Sequence, residues 1–325
     1  MLMLLLMFIK LLFYSIFTAL LLLGCRQVAT KDLIIENSKK FDSIPSASGI
    51  VVLKDTAYIV TDDGTGIYTI DINTFSTTKI PIKGFDYQLY REDKSTKHDF
   101  EGACLIKWKG KDYLLAIGSG SNEKSRDSLL MLNIADHSEQ HIISLRLFYN
   151  QLQKLTSTQP QQWNIEGISA AGTQLILINR GNNLMIECNT TIFLDWLFNS
   201  NKPFPKIEYQ QLHLPSIYKH EARLSGICTI DDTHLLFCAS VEDTPDWTKD
   251  GPVLGSYFGI YSMEKKQIIA TYLLHDREDH PMKEKIESVE IVEKGENGLV
   301  FLATGDNDNG SSTLFRIKLN NSTLR

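Results

Sequence analysis

Apolar runs of strand length, broken by short polar turns, follow one another along the chain in groups of three. Ile50-Val51-Val52-Leu53, Ala57-Tyr58-Ile59-Val60 and Ile67-Tyr68-Thr69-Ile70 form one group. Ala103-Cys104-Leu105-Ile106, Tyr113-Leu114-Leu115-Ala116 and Leu129-Leu130-Met131-Leu132 form the next. The last is Val289-Glu290-Ile291-Val292, Leu299-Val300-Phe301-Leu302 and Leu314-Phe315-Arg316-Ile317. Such runs, rich in β-branched and aromatic residues and bounded by turn residues, predict strands. Links such as Lys54-Asp55-Thr56 and Lys109-Gly110-Lys111-Asp112 suit tight hairpins.

Each group opens on the same short pattern. Asp99-Phe100-Glu101-Gly102-Ala103 and Asn164-Ile165-Glu166-Gly167-Ile168 are its fullest copies. Arg223-Leu224-Ser225-Gly226-Ile227 and Ala47-Ser48-Gly49-Ile50 put Ser in place of Glu, and Ile286-Glu287-Ser288-Val289 puts Ser in place of Gly. Anchored on residues 48, 101, 166, 225 and 287, the spacings are 53, 65, 59 and 62. A period of that size marks a repeated supersecondary unit. Three or four antiparallel strands per unit, arranged about an axis, make an all-β fold, a β-propeller. A solenoid would need polar caps that neither terminal unit has. Five blades are expected, with six as the alternative if a degenerate unit lies between Leu145 and Pro160. That stretch reads instead as a short helix, from the stripe Leu145, Leu147, Phe148, Leu152 and Leu155. Thr191 to Phe198 is open between helix and strand. The fifth unit ends at Leu319 with three strands, so Asp32-Leu33-Ile34-Ile35-Glu36 is expected to supply the fourth and close the ring.

Composition changes this picture little. The chain has 325 residues, 43% of them hydrophobic, enough for one closed β domain over residues 32–325. A formal net charge of −6 with no basic run argues against nucleic acid as partner. Residues 1–24 are almost wholly apolar, with one Lys10, and read as a targeting segment whose tidier start is Met7. Its end, Leu22-Leu23-Gly24-Cys25, resembles the lipobox of bacterial lipoproteins, although Leu23 is not the commonest residue at its place. The expectation is cleavage before Cys25, lipid on its sulfur, residues 25–31 as a tether, and a protein held on the bacterial cell envelope by lipid alone. An uncleaved membrane anchor is the alternative. Cys104, Cys188, Cys228 and Cys238 read as buried free thiols; Cys104 and Cys228 hold one strand position in non-adjacent blades.

The chemistry gathers in two loop sets. In an up-and-down blade the segment entering the first strand and the loop between strands two and three lie at one end. Those segments carry Asp62, His98, Asn179, Arg180, Arg223 and Ser240, the candidate ligand-binding residues. Glu101, Glu166 and Glu287 would ring the mouth of the channel, and converging carboxylates repel unless a cation or a basic side chain stands among them. Oxygen donors suit calcium, so these three, with Asp306, are the candidate metal ligands. The alternative is that the glutamates cap backbone N–H groups or pair with Arg223 or Arg180. Glycines after the anchors let the inner strands crowd at the axis. Asp306-Asn307-Asp308-Asn309-Gly310 fails the EF-hand pattern, since Gly310 falls one place early and the twelfth position is Ile317. No Gly-x-Ser-x-Gly elbow surrounds Ser48 or Ser225, which argues against a serine hydrolase.

The Asp-Phe-Glu-Gly-Ala, Asn-Ile-Glu-Gly-Ile and Thr-Gly-Asp-Asn-Asp segments resemble bacterial propellers of the phytase-esterase-like and SdiA-regulated group, over roughly residues 32–319. The resemblance implies calcium binding or phosphoesterase activity, with Glu101, Glu166 and Glu287 as ligands. Two Ser anchors depart from a full acidic ring. Two functions compete. One is a non-catalytic module binding a small anionic ligand or an envelope protein at the axial loop face, with calcium. The other is a metal-dependent hydrolase of phosphoesters or lactones. The loop from Ser240 to Gly255, with Pro245, Trp247 and Pro252, is a further candidate contact surface.

Overall fold

The computed structural model describes residues 32–122, 125–244, 251–296 and 298–320. The leader, Cys25, the tether, and Pro245 and Trp247 of the long loop lie outside the described residues. The described chain forms five four-stranded antiparallel sheets arranged as a five-blade β-propeller. The innermost strands are Ala47–Leu53, Phe100–Trp108, Ile165–Ala171, Arg223–Asp231 and Lys285–Gly295. Each packs against the next, and the fifth packs against the first, closing the ring. We number the blades 1 to 5 in that order.

Closure uses the chain's start, as the missing fourth strand requires. Leu33–Phe41 pairs antiparallel with Ser312–Asn320 as the outermost strand of blade 5, running further than Glu36. The apolar core divides in the same way as the sheets, with a cluster between each neighbouring pair of blades. The expected helix is helix α1, Arg146–Thr156, but its buried face is Phe148, Tyr149 and Leu152; Leu147 and Leu155 face solvent. The ambiguous stretch is helix α2, Thr190–Phe198, started by Asn189, whose side chain accepts from the Ile192 N–H at 3.0 Å. The rings of Phe148 and Phe193 join the two helices, with centroids 4.7 Å apart. The four cysteines in the described chain are free and buried.

One device recurs in every blade and is not visible in the spacing. The register between the first two strands slips at the anchor each time: between Ala47 and Gly49, Phe100 and Gly102, Ile165 and Gly167, Leu224 and Gly226, and Ile286 and Ser288. Ser48, Glu101, Glu166, Ser225 and Glu287 are therefore bulge residues, unpaired in the ladder and free to re-aim their side chains. The following residue sits where neighbouring strands nearly touch. A Cβ on Gly102 would lie 2.6 Å from the Gly167 Cα, and one on Gly226 would lie 2.7 Å from the Ser288 Cα.

Candidate functional site

The bulges deliver their side chains to one end of the axis, where a cavity of about 820 Å³ opens. Both loop sets line it. Blade 5 gives Lys285, Glu287, Asp306 and Asp308; blade 1 gives Ser48, Asp62 and Asp63. The segment into blade 2 gives Arg91, Lys94, Lys97, Asp99 and Glu101, and blade 2 adds Ser121 and Arg126. Blade 3 gives Trp163, Asn164, Glu166 and Arg180. Among the described residues blade 4 lends no side chain to the wall.

The charges are paired across blades. Lys97, buried, bridges Asp62 of blade 1 and Asp99, lying 2.6 Å from the Asp99 Oδ1. Arg126 adds a longer contact to Asp99 at 3.4 Å. Arg180 reaches Glu242 of blade 4 at 2.8 Å and Glu166 at 3.9 Å. Lys285 lies 3.1 Å from Glu287 and 3.8 Å from the same Glu242. Arg91 grips Asp63 through Nε at 2.7 Å.

These surroundings push the carboxyls apart. Burial, and then the charge of Asp99, raise Asp62 to about 8. Burial works against the charge on Asp99 as well, but a hydrogen bond with Asp62 and the charges of Lys97 and Arg126 hold it below the ordinary value. Asp62 and Asp99 thus form an acid–carboxylate pair, with Asp99 held at a left-handed φ of 57°. Burial, reinforced by Glu166, Asp62 and Asp99, lifts Glu101 well above the carboxylate range. Burial raises Glu166 to about 8 against the pull of Arg180, with Glu287 adding to the rise. Asp306 rises to about 6, mainly through burial.

The profile of the family of unknown function DUF6929 matches residues 43–319. The chain belongs to that family. Its sequence matches no curated protein. Among solved structures this DUF6929 chain is similar to the glutaminyl cyclase of Myxococcus xanthus, with 10% identity over 89% of this chain and 96% of that one and a TM-score of 0.47. It is also similar to the major Malassezia sympodialis allergen Mala s 1, with 10% identity, the same coverages and a TM-score of 0.48. Against the hydrazine synthase of Kuenenia stuttgartiensis identity is 12% and the TM-score 0.37; the match covers 86% of this chain and 59% of that one. With identities this low, activity has to be argued from the site itself.

In this DUF6929 chain the anchor acids Glu101, Glu166 and Glu287 come together with Asp306, Asp62 and Arg180 on the cavity wall. The other candidates do not line it. His98 stacks on Phe85, centroids 4.2 Å apart, and its Nδ1 lies 2.9 Å from Glu92. Asn179 accepts from the Asn164 N–H at 2.6 Å and donates to the Gln162 carbonyl at 2.8 Å, fixing the segment that enters blade 3. Arg223 lies 3.5 Å from Glu221. Ser240 donates to the Ile286 carbonyl at 2.9 Å, binding blade 4 to blade 5. Lys97, Asp99 and Lys285 stand in the entering segments but were not separable there from other loop charges. Arg126 carried no signal at all in the sequence.

Proposed function

We propose that this chain is a binding propeller whose axial cavity takes up a small polar ligand through an anionic group, or the equivalent group of an envelope protein. The observation that carries the reading is the wall itself: its ion pairs are formed across blades before any ligand arrives, and no histidine lines it among the described residues. Prepaired groups cost little to reorganise on binding. Lys97, Arg126 and Arg180 are the groups suited to an anion. Thermal denaturation of the full-length chain in detergent, against succinate, inorganic phosphate and short peptides, tests it. A saturable rise in Tm with any of them is expected; no shift with all three would remove the reading.

We read the counter-charge of the anchor acids as lysine and arginine in place of calcium. What supports this is the position of Lys97 between Asp62 and Asp99, of Arg180 near Glu166, and of Lys285 beside Glu287. A calcium ion set among these carboxylates would face three ammonium or guanidinium groups. Tm is accordingly expected to be indifferent to calcium and to chelator. A rise with calcium that a chelator reverses would restore the metal reading for Glu101, Glu166, Glu287 and Asp306.

The envelope location rests on Leu22-Leu23-Gly24-Cys25. Fatty-acid label is expected on the wild type and absent from Cys25→Ser; label that persists in the variant would contradict lipid anchoring. A second reading, hydrolysis of a phosphoester or lactone, is favoured by one feature: the Asp62–Asp99 pair sets a proton donor beside a proton acceptor. Turnover of p-nitrophenyl phosphate or a simple lactone that Asp99→Asn abolishes would establish it.

A further inference from the structure

Several residues that line the cavity carry a buried side-chain atom with no hydrogen-bonding partner among the described residues, and these atoms are sorted by type. The acceptors are Asp63 Oδ1 and Glu287 Oε2, on blades 1 and 5. The donors are Arg126 Nε, Trp163 Nε1 and Arg180 Nε, on blades 2 and 3. Asp63, Trp163, Arg180 and Glu287 are each more than nine-tenths buried. A buried polar atom left without a partner costs about 1–3 kcal/mol, so such atoms in residues that line a cavity call for an explanation.

The formal charges divide along the same line. The arc of blades 5 and 1 carries Asp62, Asp63, Glu287, Asp306 and Asp308 against Arg91 and Lys285, a balance of −3. Arg91 belongs to that arc through its contacts with Asp63 and Ser46. The arc of blades 2 and 3 carries Asp99, Glu101 and Glu166 against Lys94, Lys97, Arg126 and Arg180, a balance of +1. Protons held on Glu101 and Glu166 make that arc more positive still, and the proton on Asp62 leaves the other arc at −2. Unmet acceptors therefore stand on the negative arc and unmet donors on the positive one.

We infer that the ligand is a small zwitterion, with an ammonium group turned to blades 5 and 1 and a carboxylate turned to blades 2 and 3. This rests on the binding reading of the axial cavity and names its ligand class. Free amino acids and short peptides carry the two charges at opposite ends, and the cavity volume is that of a short peptide more than of one amino acid. The charge pairs with the ligand would be desolvated on both arcs, where charge-assisted hydrogen bonds are strongest.

Isothermal titration of the full-length chain in detergent with tri-alanine, N-acetyl-tri-alanine and tri-alanine amide tests this. Tri-alanine is expected to bind, and each capped form to lose about tenfold or more in affinity, the effect of one charge-assisted contact. Glu287→Gln keeps the side-chain shape and is expected to weaken tri-alanine while leaving the N-acetyl form unchanged. Capped forms that bind as well as the free peptide would overturn the inference. So would succinate or phosphate binding in the absence of tri-alanine binding, which would leave the binding reading intact. Failure of all the probes would remove both.

Discussion

Blades 1 and 4 and blades 2, 3 and 5 use one backbone device for opposite ends. In all five a bulge frees the anchor residue from the ladder. Where that residue is serine, it closes on the next blade: Ser48 donates to the Phe100 carbonyl, and Ser225 donates to the Ile286 carbonyl at 2.6 Å. Both acceptors are the residue just before the next anchor. Glu101, Glu166 and Glu287 bring carboxyls to the cavity, which Ser48 also lines; basic side chains stand near them, and Glu101 and Glu166 retain protons. At this repeated bulge a serine ties its blade to the next by a hydrogen bond, and a glutamate brings a carboxyl to the cavity.

The largest expected effect attacks the seal at its chain ends. Deleting residues 32–41 removes the outer strand of blade 5 and exposes the partners of Leu33 and Phe41, both buried. Burial of two such side chains is worth ~3–6 kcal/mol, before the cost of an open sheet edge. Urea denaturation should show the midpoint collapse or cooperativity vanish; a midpoint like the parent's would refute closure by this strand. Gly102→Ala comes next. Its Cβ would meet the backbone of Gly167 at 2.6 Å, which cannot rotate away. A loss of about 3 kcal/mol is expected, against no change for Gly295→Ala, where no described residue would meet the added Cβ within 4 Å.

The period of the anchors is enough to read the propeller and its five blades, because each blade repeats one local pattern. The bulge was not legible, because it is a relation between two strands and leaves no mark on either alone. Nor was the Lys97 bridge, since Asp62 and Lys97 are 35 residues apart and meet only through ring geometry. Arg180 and Arg223 looked alike in sequence, both basic and both at the loop end. Arg180 is turned inward by Glu242 on the next blade, while Arg223 is held by Glu221 on its own entering segment. Asn189 was a legible helix start, and it would have settled the stretch that follows.

A smaller effect separates the two kinds of anchor. Ser225→Ala leaves the Ile286 carbonyl with Ser240 alone, at 2.9 Å, and should cost about 1 kcal/mol. Ser225→Ala combined with Ser240→Ala strips both donors from that carbonyl and should cost about 1–3 kcal/mol. Ligand uptake should be unchanged in both, as read by calorimetry. Uptake lost in step with stability would mean that the serines belong to the site.

The smallest effect bears most directly on the claim that Glu101 and Glu166 sit on the cavity wall with their protons retained. Glu166, raised from an ordinary 4.5 to about 8, binds its proton more tightly folded than unfolded. Its contribution to stability is full below pH 4.5 and is lost as pH rises towards 8. Glutamine copies the protonated form and still accepts from Asn164, which donates to Glu166 Oε1 at 2.5 Å. The measurement is Tm from pH 5 to pH 9 for the wild type and Glu166→Gln. The two should agree near pH 5, and the variant should melt higher at pH 9, with a flatter profile. Parallel profiles, or a variant that loses most at pH 9, would contradict the account.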